Sequence, residues 1–165
     1  MHQEKKYKTD SFEKILGTLN KVGAKKIKEV VNTHYYAIQE GNDVTKLVEF
    51  PDRFEIHILK ESDGKYSLTE NIPVETKEAG LKWLKDKGYK VVNIVKMAYT
   101  DYEYKDGIVG LYVIDDFLYS VILDFPPGQH EAIEREFGLS SAEVINLPYN
   151  KYLDKLGKLR SMNLD

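Results

Sequence analysis

The chain has 165 residues, 42% of them hydrophobic and 31% charged, with a formal net charge of -3 and no cysteine. That length suits one domain with a core of its own, and the missing cysteine excludes disulfides, thiolate metal sites and cysteine nucleophiles. The negative balance argues against bulk electrostatic binding of nucleic acid, no apolar run approaches the roughly 20 residues of a membrane span, and the charged N-terminus is unlike a signal peptide, so a cytoplasmic protein without a membrane partner is expected.

The first segment, residues 1–8, reads as a strand. Side chains alternate faces along it, so His2, Glu4, Lys6 and Lys8 share one side while Gln3, Lys5 and Tyr7 take the other. A carboxylate, an imidazole and two ammonium groups on one face can hold a divalent cation beside a polyanion. A solvated N-terminus is the plain alternative.

Asp10 or Ser11 is placed to cap a helix in which Phe12, Ile15, Leu16, Leu19 and Val22 follow a 3.6-residue period, with Gly23 ending it. Residues 27–38, rich in β-branched and aromatic side chains, predict a strand closed by the turn Gly41-Asn42-Asp43. Strands over 44–50, 53–61 and 65–72, separated by Pro51-Asp52 and Ser62-Asp63-Gly64, form an antiparallel meander. Within it Phe54, Ile56 and Ile58 make an apolar face, and Glu55 and His57 oppose it.

Thr76 caps a second helix carrying Ala79, Leu81, Trp83 and Leu84, which Gly88 stops. Residues 89–104 read as one long strand; Lys105-Asp106-Gly107 turns it into 108–114, and Asp115-Asp116-Phe117 leads to 119–125. After Pro126-Pro127-Gly128, a third helix spans 129–137, Ser140-Ser141-Ala142-Glu143 resembles a capping box, and Pro148 begins a final helix through Tyr152, Leu153, Leu156 and Leu159. Strands and helices do not alternate throughout, so an antiparallel α+β fold is expected, with residues 1–165 as a single domain. His34 and His130 have no partner in sequence, His57 reads as a strand histidine wet on one side, and Trp83 reads as core.

An N-terminal strand with Glu4 and Lys6, the helix ending at Gly23, the charged meander, the helix ending in Lys87-Gly88-Tyr89, the strand bearing Lys96 and the closing Pro148-Tyr149-Asn150-Lys151-Tyr152-Leu153 together resemble the CYTH superfamily, the triphosphate tunnel metalloenzymes. The segment from Phe137-Gly138-Leu139 to Leu156 looks most like the class IV adenylyl cyclases, with the thiamine and inorganic triphosphatases as related activities. The resemblance implies a closed or nearly closed eight-stranded antiparallel barrel, a tunnel with helices packed outside. Its lumen would hold a triphosphate through Lys and Arg and a divalent metal, Mg2+ or Mn2+, through acidic side chains. The family's E-x-E-x-K strand stands here as His2-Gln3-Glu4-Lys5-Lys6, so Glu4 and Lys6 match and His2 replaces the first acid.

Carried over residue by residue, the resemblance gives Lys6, Lys8, Lys46, Arg53, Lys60 and Lys96 as triphosphate-facing and Glu4, Glu70, Asp124 and His2 as metal-ligating, with no catalytic residue assigned. The central-strand K-x-R pair is reduced to Lys96-Met97-Ala98, Val48 replaces a meander arginine, and Asp124 alone remains of the last strand's acid pair, although Asp115 and Asp116 match an acidic pattern just before it. A histidine among the ligands suits a softer ion than magnesium somewhat better. Lysine in place of arginine exchanges a bidentate fork for a point charge. The expectation is a triphosphate- or nucleotide-binding CYTH-like protein, either a metal-dependent triphosphatase or a class IV adenylate cyclase. The alternative is a relative that binds polyphosphate or nucleotide without turnover, or an interaction domain. Relatives in the cyclase branch can dimerise, so a homodimer is within the expectation.

Overall fold

The structure, a computed structural model, describes residues 1–38 and 43–165; Gly41 and Asn42 of the expected turn lie outside the described residues. In chain order the elements are β1 (Gln3–Thr9), α1 (Glu13–Lys21), β2 (Lys25–Ala37), β3 (Asp43–Glu49), β4 (Phe54–Ser62), β5 (Lys65–Val74), α2 (Lys77–Asp86), β6 (Val91–Tyr104), β7 (Gly107–Ile114), β8 (Leu118–Phe125), α3 (His130–Glu136), β9 (Val144–Ile145), α4 (Tyr149–Lys155) and β10 (Arg160–Asn163). The antiparallel α+β class is as the sequence implied. The chain divides into two compact units, residues 1–30 with 98–146 and residues 31–97 with 147–165.

In the first unit the sheet order is β2-β6-β7-β8-β1-β9. β1 pairs antiparallel with β8, placing Glu4 opposite Asp124, Lys6 opposite Ile122 and Tyr7 opposite Val121. Alternation along β1 sends Tyr7, 1% exposed, into a core with Ile15 and Leu19 of α1, Val121, Leu123 and Phe125 of β8 and Ile133 of α3. Lys5 follows Tyr7 to this helix-covered face, where both side chains donate to Glu134 of α3. The expected caps Asp10 and Ser11 do not cap α1; Phe12 is its N-cap residue and offers no side-chain bond. The local polar groups are committed one step earlier, where the Thr9 hydroxyl both accepts from the Ser11 amide and donates to its carbonyl. At the other end Gly23 takes φ 71°, the left-handed conformation that closes a helix and suits glycine.

In the second unit the order is β5-β4-β3-β2-β6, with β10 on β6. The meander has the expected neighbours: β3 pairs β4 and β4 pairs β5, all antiparallel, with a bulge between Ile58 and Leu59. Thr76 caps α2, its hydroxyl accepting from the Ala79 amide at 3.0 Å. The apolar face of the meander meets α2 in a core of Tyr35, Leu47, Ile56, Leu84 and Val92, against which Trp83 also packs. Burial of a leucine such as Leu84, 0% exposed, contributes about 1.5–3 kcal/mol.

The expected eight-stranded, closed or nearly closed barrel needs correction. Among the described residues there are ten strands, and their hydrogen-bonded order ends on β5 and on β9 instead of returning on itself. The second edge of β1 is taken by β9, where Lys6 faces Ile145 and Tyr7 faces Val144. β9 and β10 run for two and four residues, too short for alternation to announce them. No helix among the described residues is long and apolar enough to cross a membrane.

Candidate functional site

Each unit turns one sheet face to helices and carries its candidate polar side chains, among buried apolar ones, on the other. On the polar face of the first unit, register brings Glu4 opposite Asp124. Asp124 in turn lies 3.6 Å from His2 Nδ1. Lys6 and Lys8 follow Glu4 on the same side, two and four residues along. The sequence reading did not single out Asp101. It shares a face of β6 with Tyr99, whose ring lies 5.4 Å from Lys28 Nζ. Burial pushes the Asp101 carboxyl up, Lys28 opposes that, and Asp124 adds to it. Gly110 admits the carboxylate, since a Cβ there would sit 2.8 Å from Asp101 Oδ1. His130, without a visible partner in sequence, bonds the Gln3 carbonyl through Nε2 at 2.7 Å and steadies β1 against α3.

Metal fit can be judged on this donor set. Among the described residues no three His, Cys, Asp or Glu side chains are grouped to hold an ion. Magnesium does not require that, because one or two carboxylates supplemented by waters and phosphate oxygens complete its octahedron. Glu4 and Asp124 meet this lesser requirement. His2 is in place beside Asp124 but is a poor ligand for a hard ion.

The second unit carries the more unusual chemistry. Register aligns Tyr36 of β2, Lys46 of β3, His57 of β4 and Asn71 of β5 in one row across the polar face. Lys46 is 7% exposed. Its ammonium lies 5.0 Å from the Tyr36 ring centroid and has no carboxylate partner among the described residues. Burial lowers its pKa to about 7. Two residues along β2 from Tyr36, His34 stacks on that ring, with centroids 5.7 Å apart. His34 Nε2 bonds Asn32 Oδ1 at 2.9 Å, both residues are buried, and His34 Nδ1 has no partner among the described residues. Burial holds His34 well below the ordinary histidine range, with the neighbouring charges of Lys46 and His57 adding to the effect.

Beside this row, Glu55 Oε2 bonds His57 Nε2 at 3.1 Å and Asn71 Nδ2 at 3.3 Å, while Oε1 meets Arg53 Nε at 3.1 Å. Burial pushes Glu55 up, but these bonds more than reverse it and leave the carboxyl below its usual range. Burial also lowers His57, against the pull of Glu55. Arg53 is thus engaged by Glu55 and Asp52 and stacks 3.8 Å from the Phe50 centroid.

Three expected residues do not join the Lys46 face. Lys60 alternates with Ile56 and Ile58, on the side turned to α2, and is exposed. Glu70 pairs with Ile58 and shares that side with Ile72. Lys96 alternates with Val92 and Ile94, which belong to the same helix-covered core.

No protein-family model matches this chain, and no curated protein matches it in sequence. Solved structures do match. The PH1012 protein from Pyrococcus horikoshii OT3 superposes with TM-score 0.70 at 17% identity, over 87% of this chain and 94% of that one. A candidate adenylate cyclase from Vibrio parahaemolyticus gives TM-score 0.65 at 15% identity, over 93% of this chain and 97% of that one. The chain shares the fold of these proteins. A Hippeastrum candidate adenylyl cyclase, described as having a dominant triphosphatase activity, gives TM-score 0.56 at 10% identity over 97% and 98% of the two chains. At such identities the likeness concerns the fold. The sequence resemblance is matched at the level of the fold, and the functional side chains have to be weighed by their own surroundings.

Lys46 gives a direct pH test. The free protein protonates it only below about pH 7. An anion held by the ammonium should therefore bind more tightly as pH falls through that value, and binding above it should take up a proton. Calorimetry with sulfate, whose charge is constant over this range, should show the affinity rising toward acid pH and a proton uptake that follows buffer ionisation enthalpy. A flat profile would remove Lys46 from anion binding.

Proposed function

We propose that this protein binds a triphosphate or nucleotide, with the Lys46 ammonium as the principal anchor for its anionic part. The observation that carries this reading is the buried cation without a carboxylate partner among the described residues. Burying a charge is costly, and it is retained where a ligand supplies the missing counter-charge. A triphosphate, bearing about four negative charges, is such a ligand, and reaction on it depends on positioning and charge stabilisation.

In the same proposal Arg53 is a peripheral cation of the same unit as Lys46; the first unit, taken by itself, offers Lys6 and Lys8 as phosphate-facing cations. Glu4 and Asp124 would hold Mg2+ or Mn2+, with His2 beside them; when bound, the ion supplies neutralisation of phosphate charge. The reaction favoured is phosphoanhydride hydrolysis, supported by the activity named for the Hippeastrum structure and by a further structural match that is called an inorganic triphosphatase. Adenylate cyclisation is the related alternative. A binding protein without turnover is the second reading, and the replacement of the signature's first acid by His2 favours it.

Thermal unfolding with tripolyphosphate, with and without Mg2+ or Mn2+, tests the proposal. A ligand at about a hundred times its dissociation constant adds roughly 2.7 kcal/mol of stability. A rise in midpoint that metal enlarges is expected, together with released phosphate. Glu4→Gln should lose the metal-dependent part of the shift, and a variant retaining its full metal response would discount that ligand. No shift with any triphosphate would sink the reading altogether.

A further inference from the structure

The second unit contains a cavity of about 270 Å³ with Tyr36, Tyr66, Asn93, Asn150 and Asp154 among its lining residues. Pockets for drug-sized molecules start at about 300 Å³, so this one suits a single flat ring system. Two tyrosine rings in its wall, with centroids 5.9 Å apart, offer apolar surface for such a ring. Tyr36 is common to the cavity and to the Lys46 centre, since its ring lies 5.0 Å from the ammonium.

Two amides, Asn93 and Asn150, line the cavity beside the carboxylates of Asp43 and Asp154. Tyr66 donates its hydroxyl proton to Asn150 Oδ1 at 2.8 Å. Burial pushes the Tyr66 hydroxyl up to about 12, so it keeps that proton. Ser161 Oγ donates to Asn93 Oδ1 at 3.0 Å. Each amide oxygen thus already accepts one hydrogen bond, and both amide groups keep N–H donors to present. Asn150 is only 8% exposed, which gives its unused donors value.

We propose that this cavity is a base subsite for the same polyphosphate that Lys46 anchors, and that it selects a base edge presenting two acceptors. Guanine offers O6 and N7 on one edge; adenine replaces the first with an amino donor. An amino group brought against an asparagine N–H leaves donor facing donor, so the subsite favours guanosine triphosphate over adenosine triphosphate. This inference rests on the triphosphate reading and narrows it from any triphosphate to an oxopurine nucleotide.

Calorimetry with tripolyphosphate, ATP and GTP separates the two levels. The expected order of affinity is GTP above ATP, by roughly tenfold for one acceptor–donor exchange. Asn150→Asp turns the unused donor into an acceptor while keeping the oxygen that Tyr66 bonds, and it should collapse the GTP-to-ATP ratio; Asn93→Asp should do the same. Circular dichroism establishes that each variant is folded. If GTP binds no better than tripolyphosphate, or no better than ATP, the base subsite is overturned while the triphosphate reading stands. If tripolyphosphate does not bind either, both fall. A GTP preference that survives in both variants would also overturn the assignment to these amides.

Discussion

Lys46→Met is expected to make the protein more stable below pH 7 and, at the same time, to remove its affinity for triphosphate. Methionine nearly matches the volume of lysine and carries no charge to desolvate. In the native protein burial brings Lys46 down to about 7, whereas an unfolded lysine titrates near 10.5. Between those values the unfolded chain binds a proton that the folded chain does not, so this group makes stability rise with pH across that window. Below about pH 7 both states are protonated, and the native state carries the full desolvation cost, on the order of a few kcal/mol. Replacing an unpaired buried charge with an apolar side chain should therefore add about 1–4 kcal/mol at acid pH, with the gain fading as pH approaches 10.5. Urea unfolding across pH measures the gain, and calorimetry with tripolyphosphate measures the lost affinity. A methionine variant less stable than the parent at acid pH would mean that the ammonium is held by more than the Tyr36 ring.

The opposing effects on stability and binding explain why this centre was only partly legible in the sequence. A lysine in a strand reads as a solvated charge, and what makes Lys46 unusual is its neighbours in the row, Tyr36 and His57, which are distant in sequence and meet only through register. The same holds for Asp101, which becomes conspicuous once Gly110 and Asp124 are seen beside it. The Asn32–His34 bond was closer to hand, because residues two apart on a strand share a face. By contrast, the Glu4 and Lys6 face was readable from period-two alternation alone. Its partner across the sheet, Asp124, is given by the pairing of β1 with β8, which alternation within β1 does not fix. Local chemistry transferred well where one side chain decided the matter, as with Thr76, and poorly where two competed, as with Thr9 and Ser11 ahead of α1. Lys60, Glu70 and Lys96 were nominated by family resemblance and not by alternation, and each lies on the helix-covered side of its strand.

Gly107→Ala should cost about 2–3 kcal/mol, a large effect for one methyl group, and should disturb the acidic face as well as the fold. Gly107 opens β7 two residues after Lys105, which takes φ 51°. A Cβ at this position would collide with the Asp124 carbonyl and with the Phe125 ring. Phe125 is 0% exposed in the first unit's core and has nowhere to turn, and the carbonyl is part of the strand backbone, so β7 and β8 must separate locally. Gly80→Ala provides the contrast. There the nearest atom is a Leu47 methyl at 2.5 Å, the end of a side chain that can change rotamer, and alanine's higher helix propensity offsets part of the crowding. The destabilisation should accordingly be much smaller at Gly80 than at Gly107. Because Asp124 faces both Ile108 and Glu4, moving its backbone shifts the carboxylate away from Glu4, and the metal-dependent thermal shift should decline along with stability. Urea unfolding measures the first loss, and hydrogen exchange at the β8 amides locates it. A Gly107→Ala protein with parental stability would show that the β7–β8 hairpin yields more easily than its buried phenylalanine implies, and a metal response intact in the destabilised variant would argue that Asp124 is not part of the ion site.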